Sequence, residues 1–353
     1  MIRFCRQKPQ GKQEGIVGAS IQDVADRAGV SIATVSRTFT LPDKVLPRTR
    51  EKVLKVAQDL DYTISRSASA LKSGKSARIA FLTGGELDSW YDSHVLAGLN
   101  SVLHDAGYDI ALYAVSDEQE RHAFFSDMSI KRNADAVLVV SFQIPCTEAD
   151  KLATTGIPLI GINTEPISEF SATIGIDETS CMELVINHLV NLGHRKIAYV
   201  CLDPETEHFK WNGQARLQAF RSICSKLGDR VNPTVVYAPK DDTRADFALS
   251  QLVRLDQHPT AIICMNDEYA LPLLFCMQRS GYTIPRDVSV AGFDDSTYAH
   301  EIGLTTIHQD PYEMGKSSAQ TLLKLLEGEN PDMNMQIQPS FLAVRNTTAP
   351  PEH

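Results

Sequence analysis

The chain has 353 residues, 43% of them hydrophobic and 22% charged, which suffices for more than one folded core and is too apolar for a disordered chain. It has no apolar run of about eighteen residues, and residues 1–20 carry no continuous apolar stretch, so the composition excludes a membrane-spanning helix and predicts a cytoplasmic protein. The net charge of −10 is unevenly placed: residues 1–78 hold 15 Lys+Arg against 7 Asp+Glu, a balance of +8, and the other 19 basic and 37 acidic residues make the remainder −18. A basic head on an acidic body directs a polyanion to the head alone, although a solvated basic arm would give the same count. The seven cysteines, at 5, 146, 181, 201, 224, 264 and 276, never form Cys-x-x-Cys. Reduced, mostly buried thiols are therefore expected, with no disulfide frame, metal site or cofactor.

Residues 1–19 read as a flexible basic arm, or as the product of an upstream choice of start codon. Ser20 and Asp23 have the spacing of a helix-start box, and Ile21, Val24, Ala25 and Ala28 then recur on one helical face. Gly29 supplies a sharp turn, and Ser31 can cap a second short helix carrying Ala33, Thr34, Val35, Ser36 and Arg37. Two short helices about a glycine turn make a helix-turn-helix. A third helix, with Val53, Val56, Ala57 and Leu60 on one face, completes an all-α unit over 20–64. The second helix of such a unit enters the major groove with its first residues at base edges. Those residues are Ile32, Ala33, Thr34 and Arg37. Arg37 can bond guanine O6 and N7 together, while Ile32 and Ala33 suit a thymine methyl. Ser31, Ser36, Arg48 and Arg50 are assigned to the phosphate backbone. A helical hairpin without a nucleic-acid role is the alternative, but cap, small residue, glycine and hydrophobic positions all agree with the +8 charge.

The run IQDVADRAGVSIATVSR, Ile21 to Arg37, resembles the N-terminal motif of the lactose-repressor (LacI/GalR) family. The similarity continues through Thr49 to Val53, Leu60 to Tyr62 and Ser67 to Leu71, and covers nearly all of the chain after residue 19. It implies a hinge helix or linker over 65–76 that forms on DNA, with Ala68 and Leu71 at the minor groove, where a leucine wedge unstacks a base step. It also implies a repressor that binds a pseudo-palindromic operator as a homodimer. The chain departs from the family where Thr38-Phe39-Thr40 replaces a usual asparagine and Ile64-Ser65 replaces Pro-Asn.

From Arg78 onward, short β-rich runs alternate with helical stretches: RIAFLT (78–83), DIALYA (109–114), AVLVVS (136–141), PLIGIN (158–163), KIAYVCL (196–202), TAIICM (260–265) and VSVAGF (288–293). Between them lie helices near 95–106, 181–192, 215–227 and 269–280. Near-continuous apolar strands alternating with helices predict parallel sheets buried on both faces. The runs exceed one comfortable sheet, so two doubly wound α/β subdomains with a cleft are expected. The family resemblance implies a periplasmic-binding-protein-like core over 77–349, with subdomain 1 at 77–175 and 306–336, subdomain 2 at 176–305 and 337–349, and a tail at 350–353. No leucine heptads follow Val344, which favours a dimer over a tetramer.

Ligands of open α/β sheets lie beyond the carboxyl ends of the strands. The post-strand candidates for an effector are Thr83, Asn163, Asn266, Asp294 and Gln309, all polar and suited to the hydroxyls of a sugar or sugar derivative. Arg216 lies in a stretch similar to the family's Arg-x-x-Gly-Phe, whose arginine bonds ligand oxygens; a structural ion pair is its other reading. Asn266 also reads as a helix cap. Trp90, Tyr91 and Trp211 offer aromatic faces to a sugar ring, or to the core. Two other functions compete, an α/β enzyme and a solute-binding protein. No G-x-G-x-x-G, Walker lysine, H-E-x-x-H or G-x-S-x-G motif supports the enzyme, so none is expected, and Gly84-Gly85 after the first run reads as a turn.

Overall fold

Ser20 opens the first helix with a complete capping box. Its hydroxyl accepts from the Asp23 N–H at 3.3 Å, and the Asp23 carboxylate accepts from the Ser20 N–H at 2.7 Å. The helix α1, Ile21–Ala28, ends at Gly29, which adopts φ 63° and returns its N–H to Ala25 and Asp26. A Cβ there would meet only the tip of Lys52, so the left-handed φ is what calls for glycine. Helices α2 (Ile32–Thr40) and α3 (Pro47–Asp59) follow. Val24, Ala25, Ala28, Val35, Val53 and Ala57 form the core of the three, ringed by Ile21, Val30, Phe39, Val56, Leu60 and Tyr62. The computed structural model describes residues 19–40, 42–62, 75–85, 89–131, 133–203, 209, 212–329 and 335–352, in two units, Met1–Lys75 and Ser76–His353.

The second unit contains two six-stranded sheets. The first comprises β1 (Arg78–Gly84), β2 (Asp109–Val115), β3 (Ala136–Val140), β4 (Leu159–Ile162), β5 (Ala172–Gly175) and β11 (Gln336–Ile337), in the order β11-β5-β4-β3-β1-β2 and all parallel. The second comprises β6 (Lys196–Cys201), β7 (Asn232–Tyr237), β8 (Ala261–Cys264), β9 (Ser289–Asp294), β10 (Thr305–His308) and β12 (Phe341–Ala343), in the order β12-β10-β9-β8-β6-β7, with only β12 antiparallel. Their helices are α4 (Trp90–Leu103), α5 (Glu118–Lys131), α6 (Cys146–Ala153) and α11 (Pro311–Leu326) on the first sheet, and α7 (Glu178–Asn191), α8 (Asn212–Leu227), α9 (Arg244–Val253) and α10 (Asp267–Arg279) on the second. Both faces of the central strands are buried, with Ile79 and Phe81 of β1 in one core and Ala80 and Leu82 in another, while the edge strands β2 and β7 stay partly exposed.

The chain crosses between sheets after Gly175, after β10 and after β11. The expected return to the first subdomain at 306 is corrected here: Thr305–His308 pairs with β9 from Thr305↔Ala291 to His308↔Asp294, so it belongs to the second sheet. The return comes where the Asp310 carboxylate caps α11 ahead of Pro311. The expected division at 336/337 falls within β11, both residues of which pair with β5. Helices α4 and α11 approach closely because Gly98 faces the Tyr312 carbonyl and Gly315 faces the Val95 carbonyl, each leaving no space for a Cβ. The C-terminal segment is fastened to the second sheet. Thr347 bonds Val290 and Thr305, and the Ala349 carbonyl bonds His194 and Ser289. The six described cysteines are free, and all but Cys146 are buried.

Candidate functional site

In the first unit the start of α2 is held by Ser31, whose hydroxyl accepts from the Thr34 N–H at 3.2 Å and lies 2.9 Å from the Thr34 hydroxyl. One turn on, Thr38 donates to the Thr34 carbonyl at 2.9 Å and is buried together with Val35. That packing turns the opposite face outward: Ile32, Ala33 and Arg37 are exposed and Thr34 is half-buried. Ser31 and Arg48 are exposed, while Ser36 and Arg50 are half-buried. Ala68 and Leu71 lie outside the described residues, as does most of the 65–76 linker.

In the second unit the strand order reverses between β1 and β3 and between β6 and β8, and the polar candidates stand at these carboxyl ends. Thr83, near the end of β1, donates to Asp92 Oδ2 at 2.5 Å; Ser141, just after β3 with φ 66°, reaches Asp92 Oδ1 at 3.5 Å. Burial pushes the Asp92 carboxyl up to about 6, against the lowering pull of Thr83, Ser141 and Lys240. Gly84 ends β1, and Gly85 turns the chain at φ 89°. Trp90 Nε1 donates to Thr297 Oγ1 at 2.9 Å and joins α4 to the loop after β9. The neighbouring Tyr91 is 9% exposed and gives its hydroxyl to Met314 Sδ at 3.0 Å, so it packs as a core residue. Asn163 is buried after β4, with φ 49° and its N–H on the Ile174 carbonyl.

Arg216 of α8 is almost fully buried and multiply held. Its Nε and Nη2 donate to the two oxygens of Glu178 at 2.7 and 3.2 Å, its Nη1 donates to the Met265 carbonyl at 2.8 Å, and the guanidinium covers the Phe293 ring at 3.6 Å. Burial opposes the Arg216 charge, but Glu178 and Asp294 outweigh it and hold its pKa above the usual value. Asp294, at φ 116°, lies 3.8 Å from Arg216 Nη1 and accepts from Gln309 Nε2 at 2.6 Å. Burial raises the Asp294 carboxyl well above the usual range, with Arg216 opposing. The next residue, Asp295, is held by Arg345 and by His308, each at 3.0 Å. Asn266 caps α10 through the Tyr269 N–H at 3.2 Å.

Arg216, Asp294 and Gln309 are thus brought together, whereas Thr83 is bonded to Asp92, Tyr91 to Met314 and Trp90 to Thr297. Trp211 lies outside the described residues. Asp92, Glu178, Ser141 and Asp267 were not expected from the sequence. Asp267 is fully buried and accepts from the Ser296 N–H and the Thr306 hydroxyl, each at 2.7 Å. Only Asp92 had a sequence signal, the Ser89-x-x-Asp92 spacing, and that spacing reads as a helix cap rather than a cleft acid.

Residues 20–65 match the bacterial regulatory proteins of the lacI family, and residues 186–348 match a periplasmic binding protein-like domain. The HTH-type transcriptional repressor CytR of Escherichia coli K12 is 28% identical over 346 residues, 96% of this chain and 98% of its own length. The HTH-type transcriptional repressor PurR of Vibrio cholerae is 30% identical over 314 residues, 88% of this chain and 92% of its own. The chain belongs to the lacI family of bacterial regulatory proteins. The lac repressor dimer bound to operator and the anti-inducer ONPF has the same fold, with a TM-score of 0.81 at 25% identity over 94% of this chain and 99% of that one. As a lacI-family regulator with repressors for relatives, the chain is a DNA-binding transcriptional regulator and not an enzyme.

Proposed function

We propose that this lacI-family regulator is a sequence-specific repressor that binds a pseudo-palindromic operator as a homodimer and answers to a sugar or sugar derivative in the cleft between its two sheets. The observation that carries the reading is the start of α2, where a capped helix presents Ile32, Ala33 and Arg37 outward on a segment of charge +8. In this reading Ile32, Ala33, Thr34 and Arg37 contact bases, Ser31, Ser36, Arg48 and Arg50 contact phosphate, and Ala68 and Leu71 serve the hinge. Thr83, Trp90, Asn163, Arg216, Asn266, Asp294 and Gln309 form the effector set, with Tyr91 supporting from the core and Trp211 completing it.

A dimer is supported by large apolar side chains left exposed on packed helices. Phe247 of α9 and Phe275 of α10 are 43% and 48% exposed, beside the Cys276–Asp246 hydrogen bond that ties the two helices. Leu112 on the edge strand β2 is 44% exposed. Effector control requires different affinity for two cleft states, and such coupling typically amounts to about 1 to 3 kcal/mol. A reader of the chromosome works in the cytoplasm, and no described helix is long and apolar enough to cross a membrane. Chromatin immunoprecipitation with sequencing tests the reading. Discrete peaks that share a two-fold symmetric motif, with flanking genes rising on deletion, are expected. Diffuse occupancy with unchanged transcription contradicts it.

A further inference from the structure

The surroundings of Arg216 are rich in acceptors and poor in free cations. Asp92, Glu178, Asp267 and Asp294 are each 9% exposed or less. Among the described residues one buried cation stands against them, Arg216, already committed to Glu178, the Met265 carbonyl and the Phe293 ring. The field of the exposed Lys240 also reaches Asp92. Trp90 Nε1, two residues before Asp92, donates to Thr297 Oγ1, three residues after Asp294, at 2.9 Å, so the two carboxylates stand on segments that this bond joins across the two sheets.

Two buried polar atoms in this neighbourhood have no hydrogen-bond partner. Gln309 is 2% exposed; its Nε2 is bound to Asp294, but its Oε1 receives nothing. The Tyr199 hydroxyl is fully buried without a partner and interacts electrostatically with Arg216 and Glu178. A buried acceptor without a donor is costly, so Gln309 Oε1 marks a place where a ligand's O–H or N–H gains most. A phosphate or carboxylate would bring only further acceptors and a like charge.

We infer that the effector is an uncharged or aminated, donor-rich sugar compound and that the cleft rejects phosphorylated and carboxylated sugars, with Asp92 the first-sheet residue that enforces the rejection. This rests on the reading of the cleft as the effector site. A hydroxyl donating to Gln309 Oε1 satisfies the orphaned acceptor, and further hydroxyls or an ammonium meet Asp92 with the right sign. Asp92 matters because, among the described residues, its hydrogen-bond partners are the neutral hydroxyls of Thr83 and Ser141, and only the field of the exposed Lys240 opposes its charge.

Calorimetric titration of the full chain at neutral pH, with matched pairs, tests this. The probes are ribose and its phosphate ester, glucose, glucosamine and glucuronate, and cytidine and its monophosphate, with adenine as a base lacking hydroxyls. Within the best-binding set the neutral or aminated member should bind at least about tenfold more tightly than its anionic counterpart, the effect of one uncompensated like charge a few ångströms away. Asp92→Asn should narrow that ratio, and Asp92→Ser serves if the first variant does not fold. An anionic member that binds as tightly as its neutral counterpart overturns the charge selection and leaves the effector site standing. A ratio unmoved in the folded variants removes Asp92 from the role. Binding by adenine alone, or by no probe, overturns the sugar-effector reading and this inference with it.

Discussion

Arg216, proposed for the effector set, is held by the fold itself. Its bidentate pair with Glu178 is buried on both sides, at 6% and 10% side-chain exposure, so removing one partner strands the other charge away from water. Arg216→Ala should therefore lower unfolding free energy in urea by about 3–5 kcal/mol, and adding Glu178→Gln should restore part of the loss. A stable Arg216→Ala protein that loses only its effector response would show that the pair contributes little to the fold. Asp92 makes a pH prediction whose sign follows from burial. Its folded pKa of about 6 exceeds the unfolded value of 3.8, so the protonated form is favoured by folding. Its contribution is full below the unfolded value and is lost as pH rises through about 6. Relative to Asp92→Asn, the wild type should lose on the order of 3 kcal/mol of stability between about pH 4 and pH 7. A difference that stays flat across that range contradicts the assignment.

At the scale of elements, α4 and α11 pack closely, and a glycine of each faces a carbonyl of the other helix. Gly98→Ala puts a methyl against the Tyr312 backbone, which cannot swing aside, so thermal unfolding should show a loss of about 1–3 kcal/mol or more. An unchanged melting temperature would mean that the helices can part at no cost. Helix α11 itself was not read from the sequence, nor were β5, β7, β10, β11 and β12. The seven strands that were legible are continuous apolar runs. In contrast, β10 is Thr305-Thr306-Ile307-His308, and its threonines are buried because their hydroxyls bond Thr348 and Asp267. Strand β7 carries Pro233 at a sheet edge and leaves much of its length half-exposed, while β11 and β12 have two and three residues and exist because the chain crosses there. Helix starts at 90, 178 and 267 precede the expected ones because Ser89, Asp177 and Asn266 cap them. Thr83, Asn163, Asn266 and Asp294 were placed at strand ends by the direction of the legible runs, whereas Gln309 follows β10, which is not such a run. Glu178 was not, since its partner is 38 residues away in the chain.

For the whole molecule, the division of labour is written in its charge. A head of +8 precedes a body of −18, and the body's carboxylates repel a duplex that the head attracts. The lacI-family fold of the body supplies two sheets joined by three crossings; in the proposed function a cleft between them biases the state of the regulator while the head contacts DNA. The most direct measurement is selection of bound DNA from a random pool by the full-length protein, carried out in parallel with Arg37→Ala. The recovered sequences should share a two-fold symmetric motif, and the variant should relax one base position in each half at a cost of about 1–3 kcal/mol. Recovery of no motif, or the same base preference from both proteins, would contradict the assignment of α2 as the reading helix.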